Sequence, residues 1–215
     1  MLAQARLLGE EIDEAGTLRL QAFADELQLS RHYPIRVTLL KSNTINAYTL
    51  PGGNVVVYTG LLQKIKTPEA LAALLAHECT HVNERHSLRS LLRSAASGLA
   101  LSVVFGDASG MASVLVSNAE ALNGLRYSRS LEEEADSKGM DLLLQNGVAL
   151  DGMKQLMQTL QQAETNASGT LSFLSSHPLT KERLRAAENY ISQHPQNTST
   201  RTGLQSLFRT IKSSY

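Results

Sequence analysis

Residues 67–82 have the sequence TPEALAALLAHECTHV, and they predict a buried helix at the centre of the domain. Thr67 supplies an N-cap hydroxyl, Pro68 suits the first helical position, and Glu69 lies near the positive end of the helix dipole. We expect this helix to continue to about His86. Its large apolar residues form an arc: Leu71, Leu74, Leu75 and Val82. Its opposite face is made of small residues that allow another helix to approach closely: Ala72, Ala73, Ala76 and Cys79.

The same helix carries an H-E-x-x-H motif, formed by His77, Glu78 and His81. Positions i and i+4 lie about 40° apart around a helix, so the two imidazoles can hold one metal ion. Glu78 then lies near the ion without being directed onto it, which suits a general base that takes a proton from water. His86 would lie about 140° from His81 on a continuous helix and is not expected to be a ligand. A catalytic zinc site therefore needs a third protein ligand from elsewhere.

The best source of that ligand is the segment YSRSLEEEADSKG at residues 127–139. Glu132 and Asp136 are four residues apart and share one helix face. One carboxylate can bind zinc, and the other can accept the free ring N–H of a ligating histidine and so fix its tautomer. Glu133 and Glu134 point away from this face and are expected to be solvated surface acids.

The rest of the chain predicts an α+β fold that is mostly helical, with a small antiparallel sheet over the H-E-x-x-H helix. Short β-branched and aromatic runs predict three strands, at residues 35–40, 45–49 and 55–59. The turn Pro51-Gly-Gly-Asn54 should join the last two strands as a hairpin.

We expect residues 1–215 to form a single domain, because a chain of this length builds one core. Three parts are distinguished: an N-terminal helical region at 1–30, a catalytic core at 34–192 and a loosely held tail at 193–215.

Composition excludes several classes of protein. Lys plus Arg and Asp plus Glu both total 20, so no overall positive field exists to gather nucleic acid. A single cysteine, Cys79, excludes an internal disulfide. No signal peptide or clear transmembrane helix is recognised. Residues Ser94–Ala119 are apolar but interrupted by glycines, and they are interpreted as buried core or a covering flap, or else as a surface close to a membrane.

The combined motifs resemble the gluzincin metallopeptidases that include the CAAX prenyl proteases, HtpX and the BepA-type proteases. The resemblance rests on H-E-x-x-H followed by S-R-x-x-E-x-E-A-D-x-x-G at residues 128–139, and it extends from about Pro34 to Tyr190. Further similar landmarks are NAYTLPGG at 46–53, TGLL at 59–62, and SHP at 176–178 with Arg183. By this resemblance, the chain is similar to a catalytic domain alone, whether natural or part of a longer protein.

The resemblance also implies roles for individual residues. It implies one Zn²⁺ per chain, bound by His77, His81 and Glu132, with Glu78 as the catalytic base and Asp136 supporting a ligand. Polypeptide substrates, protein quality control and a cell-envelope or membrane-associated location are implied in the same way. The oligomeric state is left open.

Two residues of the later landmark keep more than one interpretation. His177 could polarise the scissile carbonyl or hydrogen-bond the developing oxyanion. It could equally occupy the open zinc position and inhibit the enzyme until substrate displaces it, or it could be a loop histidine bonded to backbone. Arg183 could support an oxyanion or brace an acid.

Residues Asn46, Ala47, Tyr48 and Thr49 are the candidate substrate-binding strand. An extended peptide can add to an edge strand through main-chain hydrogen bonds without a sequence requirement. This assignment leans on the resemblance, and the simpler alternative is a hairpin that only covers the core.

The sequence therefore predicts a zinc-dependent metalloendopeptidase that hydrolyses extended or unfolded polypeptides. The alternative is an autoinhibited binding or chaperone module with little intrinsic cleavage.

Overall fold

The computed structural model describes residues 11–90, 92–93, 127–165, 173–195 and 201–215. The strands are Glu11–Ile12 (β1), Arg36–Lys41 (β2), Ala47–Leu50 (β3) and Asn54–Tyr58 (β4). The helices are Glu14–Asp25 (α1), Thr59–Lys64 (α2), Pro68–Asn83 (α3), Arg129–Gln145 (α4), Asp151–Thr165 (α5), Phe173–Ser176 (α6), Lys181–Gln193 (α7) and Thr202–Lys212 (α8). Residues 86–90 are also helical. The predicted α+β class, mostly helical with a small sheet, is confirmed.

The sheet is mixed, with strand order β1-β2-β4-β3, whereas the sequence predicted an antiparallel sheet. β3 and β4 form the predicted antiparallel hairpin, but β4 then pairs in parallel with β2, with Val37 opposite Val55. The reason lies in burial. β2 and β4 each bury four consecutive residues, as strands covered on both faces do, whereas β3 alternates between buried and half-buried positions. β3 therefore lies at the edge, and β4 occupies the interior of the sheet.

The predicted N-terminal helical region at 1–30 is wrong for part of its length, and residues 1–10 lie outside the described residues. Glu11 and Ile12 form strand β1, which pairs antiparallel with β2. The Asp13 side chain accepts a hydrogen bond of 2.8 Å from the backbone N–H of Gly16, and this N-cap starts α1 at Glu14. Helix α1 then ends at Asp25.

Helix α3 is buried along nearly its whole length, since every residue from Ala70 to Val82 is buried. Thr67 caps it as predicted, by accepting from the backbone N–H of Ala70. The helix ends at Asn83 rather than about His86, because Arg85 has a φ of +55° in the left-handed region.

Two glycines of neighbouring helices lie directly against the backbone of α3. A Cβ at Gly139 of α4 would lie 3.4 Å from the Cα of His77. A Cβ at Gly152 of α5 would overlap the carbonyl oxygen of Glu69. Helices α4 and α5 therefore pack almost backbone to backbone against the helix that carries the motif.

The prediction of a loosely held tail at 193–215 is wrong for residues 201–215. Helix α8 buries Leu204, Phe208 and Ile211, which recur at helical spacing, and it packs against α1. The Tyr215 hydroxyl donates to Asp13, and Arg201 pairs with Glu26 at 3.2 Å.

Across the ranges that the structure describes, no helix has both the length and the apolar composition needed to cross a bilayer. The whole of Ser94–Ala119, the segment interpreted as core, flap or membrane-facing surface, lies outside those ranges.

Because α8 contributes to the core, Phe208→Ala should lower the free energy of unfolding by about 3–5 kcal/mol through the cavity that it leaves. Urea denaturation followed by circular dichroism measures this change. Arg209→Ala, at the exposed neighbouring position, should change stability by less than about 0.5 kcal/mol. Equal midpoints for the two variants would contradict the packing of α8.

Candidate metal centre

Four side chains from three parts of the fold direct their polar atoms at one point. His77 and His81 come from α3, Glu132 from the first turn of α4, and His177 from the residue after α6. One ligand atom from each lies within 4.8 Å of all the others, and these four residues are called the donor cluster below. The Nε2 atoms of His77 and His81 are 3.1 Å apart, and His177 Nδ1 is 3.0 Å from Glu132 Oε1. All four side chains are buried. Such a set of imidazole nitrogens and one carboxylate is a ligand set that zinc prefers.

Local structure fixes each of these side chains. The i, i+4 spacing on α3 directs both histidines to one face. Gly139 lets α4 approach α3 closely enough for Glu132 to reach between them. The backbone N–H of His177 donates to the carbonyl of Phe173 at 2.8 Å, and the two rings stack with centroids 4.5 Å apart.

Asp136 lies behind His77, on the side away from the other donors. Its Oδ1 is 3.1 Å from His77 Nδ1, so the carboxylate accepts the ring N–H and leaves Nε2 free for a metal ion. Arg183 forms two hydrogen bonds with the same carboxylate, from Nε at 2.6 Å and from Nη2 at 2.8 Å. Its Nη1 lies 2.7 Å from Glu132 Oε2. Of the two roles considered for Arg183, its contacts are those of a residue that braces acids.

These contacts set the charges of the centre. Burial alone would raise the pKa of Asp136, but hydrogen bonds from Arg183 and His77 lower it overall. Burial likewise opposes ionisation of Glu132, while His177, His77 and Arg183 lower its pKa overall. Burial, with the charges of His77 and His177, holds the pKa of His81 well below its usual value. His81 is therefore neutral at pH 7 and can donate a lone pair to a metal ion.

Glu78 is completely buried beside the donor cluster. Among the described residues, no hydrogen-bond donor reaches either of its carboxylate oxygens, and its Oε1 lies 3.7 Å from His177 Nε2. Burial raises the pKa of Glu78 to about 7, and the negative charge of Glu132 contributes to the shift. A carboxyl group with a pKa near neutrality can both take up and release a proton.

Tyr127 connects strand β3 to the centre, and its role was not predicted from the sequence. The Tyr127 ring stacks on His81 with centroids 4.0 Å apart. Its hydroxyl lies 2.9 Å from Ser87 Oγ and 3.4 Å from Thr49 Oγ1 at the end of the candidate substrate strand. A cavity of about 210 Å³ opens beside this strand and is lined in part by Thr49, Leu50, His81 and Ser87. Among the four candidate substrate residues, the Thr49 side chain is thus linked to the centre through Tyr127.

The partners of His86 could not be predicted from the sequence. This side chain is fully buried, and its Nδ1 lies 2.8 Å from Nδ1 of His81. Its Nε2 lies 3.2 Å from Glu134 Oε2. Glu134 is therefore not the solvated surface acid that was predicted, and the hydrogen bond from Lys138 is the main reason that its pKa is lowered to about 2. Glu133 is exposed, as predicted.

The H-E-x-x-H helix, the glutamate on the following helix and the sheet beside them define an α+β metallopeptidase domain of the gluzincin type. Comparison with known proteins agrees with this class. Residues 17–191 match peptidase family M48, and the chain belongs to this family.

Three relatives illustrate the match. Mitochondrial metalloendopeptidase OMA1 of Schizosaccharomyces pombe is 34% identical over 72% of this chain and 46% of its own length. The beta-barrel assembly-enhancing protease of Escherichia coli is 29% identical over 87% of this chain and 39% of its own length. Metalloprotease YcaL of Escherichia coli is 32% identical over 74% of this chain and 63% of its own length. The chain thus spans less than two thirds of the length of these curated relatives.

Arg183 is the cation that contacts the buried carboxylates of Asp136 and Glu132. Arg183→Met should therefore lower the free energy of unfolding by about 3–5 kcal/mol, because both carboxylates lose this cation. Arg183→Lys should also destabilise the protein, since an ammonium cannot reproduce the paired guanidinium hydrogen bonds. Urea denaturation measures both changes. Arg185→Met, at an exposed position on the same helix, is the matched control and should lie within about 0.5 kcal/mol of the parent. If Arg183→Met and Arg185→Met unfold at the same urea concentration, Arg183 does not brace the two acids.

Proposed function

We propose that the chain is a zinc-dependent metalloendopeptidase that cleaves extended or unfolded polypeptide segments. The observation that carries the proposal is the buried meeting point of His77, His81 and Glu132, with the unbonded carboxylate of Glu78 beside it. Family membership supports a metal cofactor. Zinc is the ion that best suits two imidazoles and a carboxylate, and one ion would be bound per chain.

His77, His81 and Glu132 would hold the ion. Asp136 orients His77 by accepting its Nδ1–H, and Arg183 keeps both carboxylates ionised. The chemistry that zinc supplies when bound is polarisation of the scissile carbonyl and acidification of the attacking water.

Glu78 is the general base and then the general acid. Both of its oxygens lack a hydrogen bond from the described residues, so they are available to a water molecule or to a substrate amine. The carboxylate takes the proton from water as the C–O bond forms, and it gives that proton to the leaving nitrogen as the C–N bond breaks.

His177 is proposed to assist by donating a hydrogen bond to the oxyanion that develops on the scissile carbonyl. Its Nε2 lies 3.7 Å from Glu78 Oε1 and has no hydrogen-bond partner among the described residues. Because the Glu132 carboxylate only accepts, His177 carries its hydrogen on Nδ1. This hydrogen is the one that His177 could donate to a substrate oxygen once Glu132 turns to the ion.

The substrate is proposed to bind in extended form along β3, with Asn46, Ala47, Tyr48 and Thr49 as its partners. β3 pairs with β4 on one side and lies last in the strand order of the described sheet. Main-chain pairing at such an edge accepts many sequences but requires an unfolded segment. This requirement fits a role in protein quality control.

The biological setting is inferred from the relatives. Their printed names are a mitochondrial metalloendopeptidase and a beta-barrel assembly-enhancing protease. We infer from them a protein-degrading role at the cell envelope or at a membrane.

A second candidate function is an autoinhibited binding module. The observation that favours it is that His177 is itself one of the four converging residues, with its Nδ1 3.0 Å from Glu132 Oε1 and 3.4 Å from His77 Nε2. If His177 occupied the fourth zinc position, substrate could bind along β3 without being cleaved.

Metal binding is tested by the zinc content of the purified protein. We expect about one zinc per chain in the parent and in Glu133→Ala, an exposed neighbour of the proposed ligand. Glu132→Ala should lose most of the metal because it removes one of three ligands. Zinc retained at the parent level by Glu132→Ala would contradict the ligand set.

Catalysis is tested with casein as an unfolded substrate. Glu78→Gln should bind zinc like the parent but cleave about 10²- to 10⁴-fold more slowly, because it lacks the general base. Cleavage that is unchanged in this variant would contradict the mechanism.

The variant His177→Ala separates the two roles of His177. If His177 stabilises the oxyanion, kcat falls by about 10²-fold or more while zinc content stays constant. If His177 inhibits by binding the metal, cleavage rises instead, and the second candidate function is favoured.

A further inference from the structure

His86 contacts the metal centre from behind and contributes no atom to the donor cluster. It follows α3, beyond the left-handed residue Arg85, and this reversal turns its ring back toward His81. The two Nδ1 atoms are 2.8 Å apart, which is a short hydrogen bond between buried groups. The bond therefore needs one ring to donate and the other to accept.

The carboxylate of Glu134 decides which ring donates. A carboxylate only accepts, so His86 Nε2, which lies 3.2 Å from Glu134 Oε2, carries the hydrogen. A neutral His86 then has its lone pair on Nδ1, and it must accept from His81. His81 consequently carries its hydrogen on Nδ1 and presents an unprotonated Nε2 to Glu132 and His77.

Glu134 is held in place independently of His86. Its Oε1 accepts from Lys138 at 2.8 Å, and its Oε2 accepts from Arg89 at 3.1 Å. Lys138 also pairs with Glu84 at 2.8 Å. Arg89, together with the Lys138 that Glu134 shares with Glu84, thus already supplies positive charge to Glu134, so the hydrogen bond to His86 does not require a further cation.

We propose that His86, anchored by Glu134, is a positioning residue that fixes the tautomer and orientation of His81 for metal binding. This inference rests on the proposed metal site. It gives the two histidines of α3 separate supports, since Asp136 acts directly on His77 and Glu134 acts on His81 through a second imidazole. Loss of a group that orients a metal ligand in this way commonly weakens metal affinity about 10- to 100-fold.

The test is the affinity of the full chain for Zn²⁺, measured by competition with a chromophoric chelator. His86→Leu removes the acceptor and should weaken binding about 10- to 100-fold. His86→Asn keeps an oxygen near the position of Nδ1 and should recover most of the affinity. Equal losses in the two variants would assign His86 a packing role and overturn the proposal, as would parental affinity in His86→Leu.

A second pair of variants leaves His86 itself in place. Glu134→Ala should weaken zinc binding in the same direction, while Glu133→Ala, at the exposed adjacent position, should not. Circular dichroism in excess zinc checks that each variant is folded. If His86→Leu fails to fold, this pair decides the outcome, and equal affinities for Glu134→Ala and Glu133→Ala overturn the proposal.

The tautomer itself can be observed in the zinc-loaded parent with ¹⁵N-labelled histidine. Long-range ¹H–¹⁵N spectra should show His86 protonated on Nε2 and unprotonated on Nδ1. A hydrogen on His86 Nδ1 would overturn the proposal. A parent protein that binds no zinc would instead refute the proposed function, which separates that failure from a failure of the His86 assignment.

Discussion

The buried ion pairs between Arg183 and the carboxylates of Asp136 and Glu132 connect the three helices on which the centre depends. Arg183 lies on α7, both acids lie on α4, and Asp136 passes the interaction on to His77 of α3. Two carboxylates this deeply buried are costly to ionise without a cation that contacts both. The guanidinium meets this requirement and leaves the other side of Glu132 facing the imidazoles. The geometry of the donor cluster is thus tied to the docking of α7.

The second constraint is that α4 runs against α3 in the opposite direction and at short distance. Glu132 at the start of α4 lies near His81, whereas Gly139, two turns later, lies against the backbone of His77. A Cβ at position 139 would already be in contact with the His77 backbone, so α4 packs directly against the helix that carries both histidines. The small residues on α3 and the glycine on α4 therefore act together, since ligand distance is set by backbone distance.

Features that depend on local sequence spacing could be predicted from the sequence. The i, i+4 pairs His77–His81 and Glu132–Asp136, the cap at Thr67 and the β3–β4 hairpin all follow from local spacing. Features that depend on non-local geometry could not. The parallel pairing of β2 with β4 requires knowledge of which strand is covered on both faces. Helix α8 has regular apolar spacing, but the Ser- and Thr-rich sequence around it is typical of a loosely held tail, and its packing against α1 is a non-local contact.

His86 shows most clearly why local rules fail at this site. Its assumed angle of about 140° from His81 holds only for a continuous helix. Arg85 adopts a left-handed conformation, so the chain reverses after α3 and the angle no longer applies. A non-glycine residue with positive φ costs free energy, and such strain persists only where surrounding contacts maintain it. Here the contacts on either side are Arg85 with Tyr33, and His86 with His81 and Glu134. The positive φ of Arg85 is therefore the backbone conformation that allows His86 to contact His81, and the contacts of His86 help to maintain it.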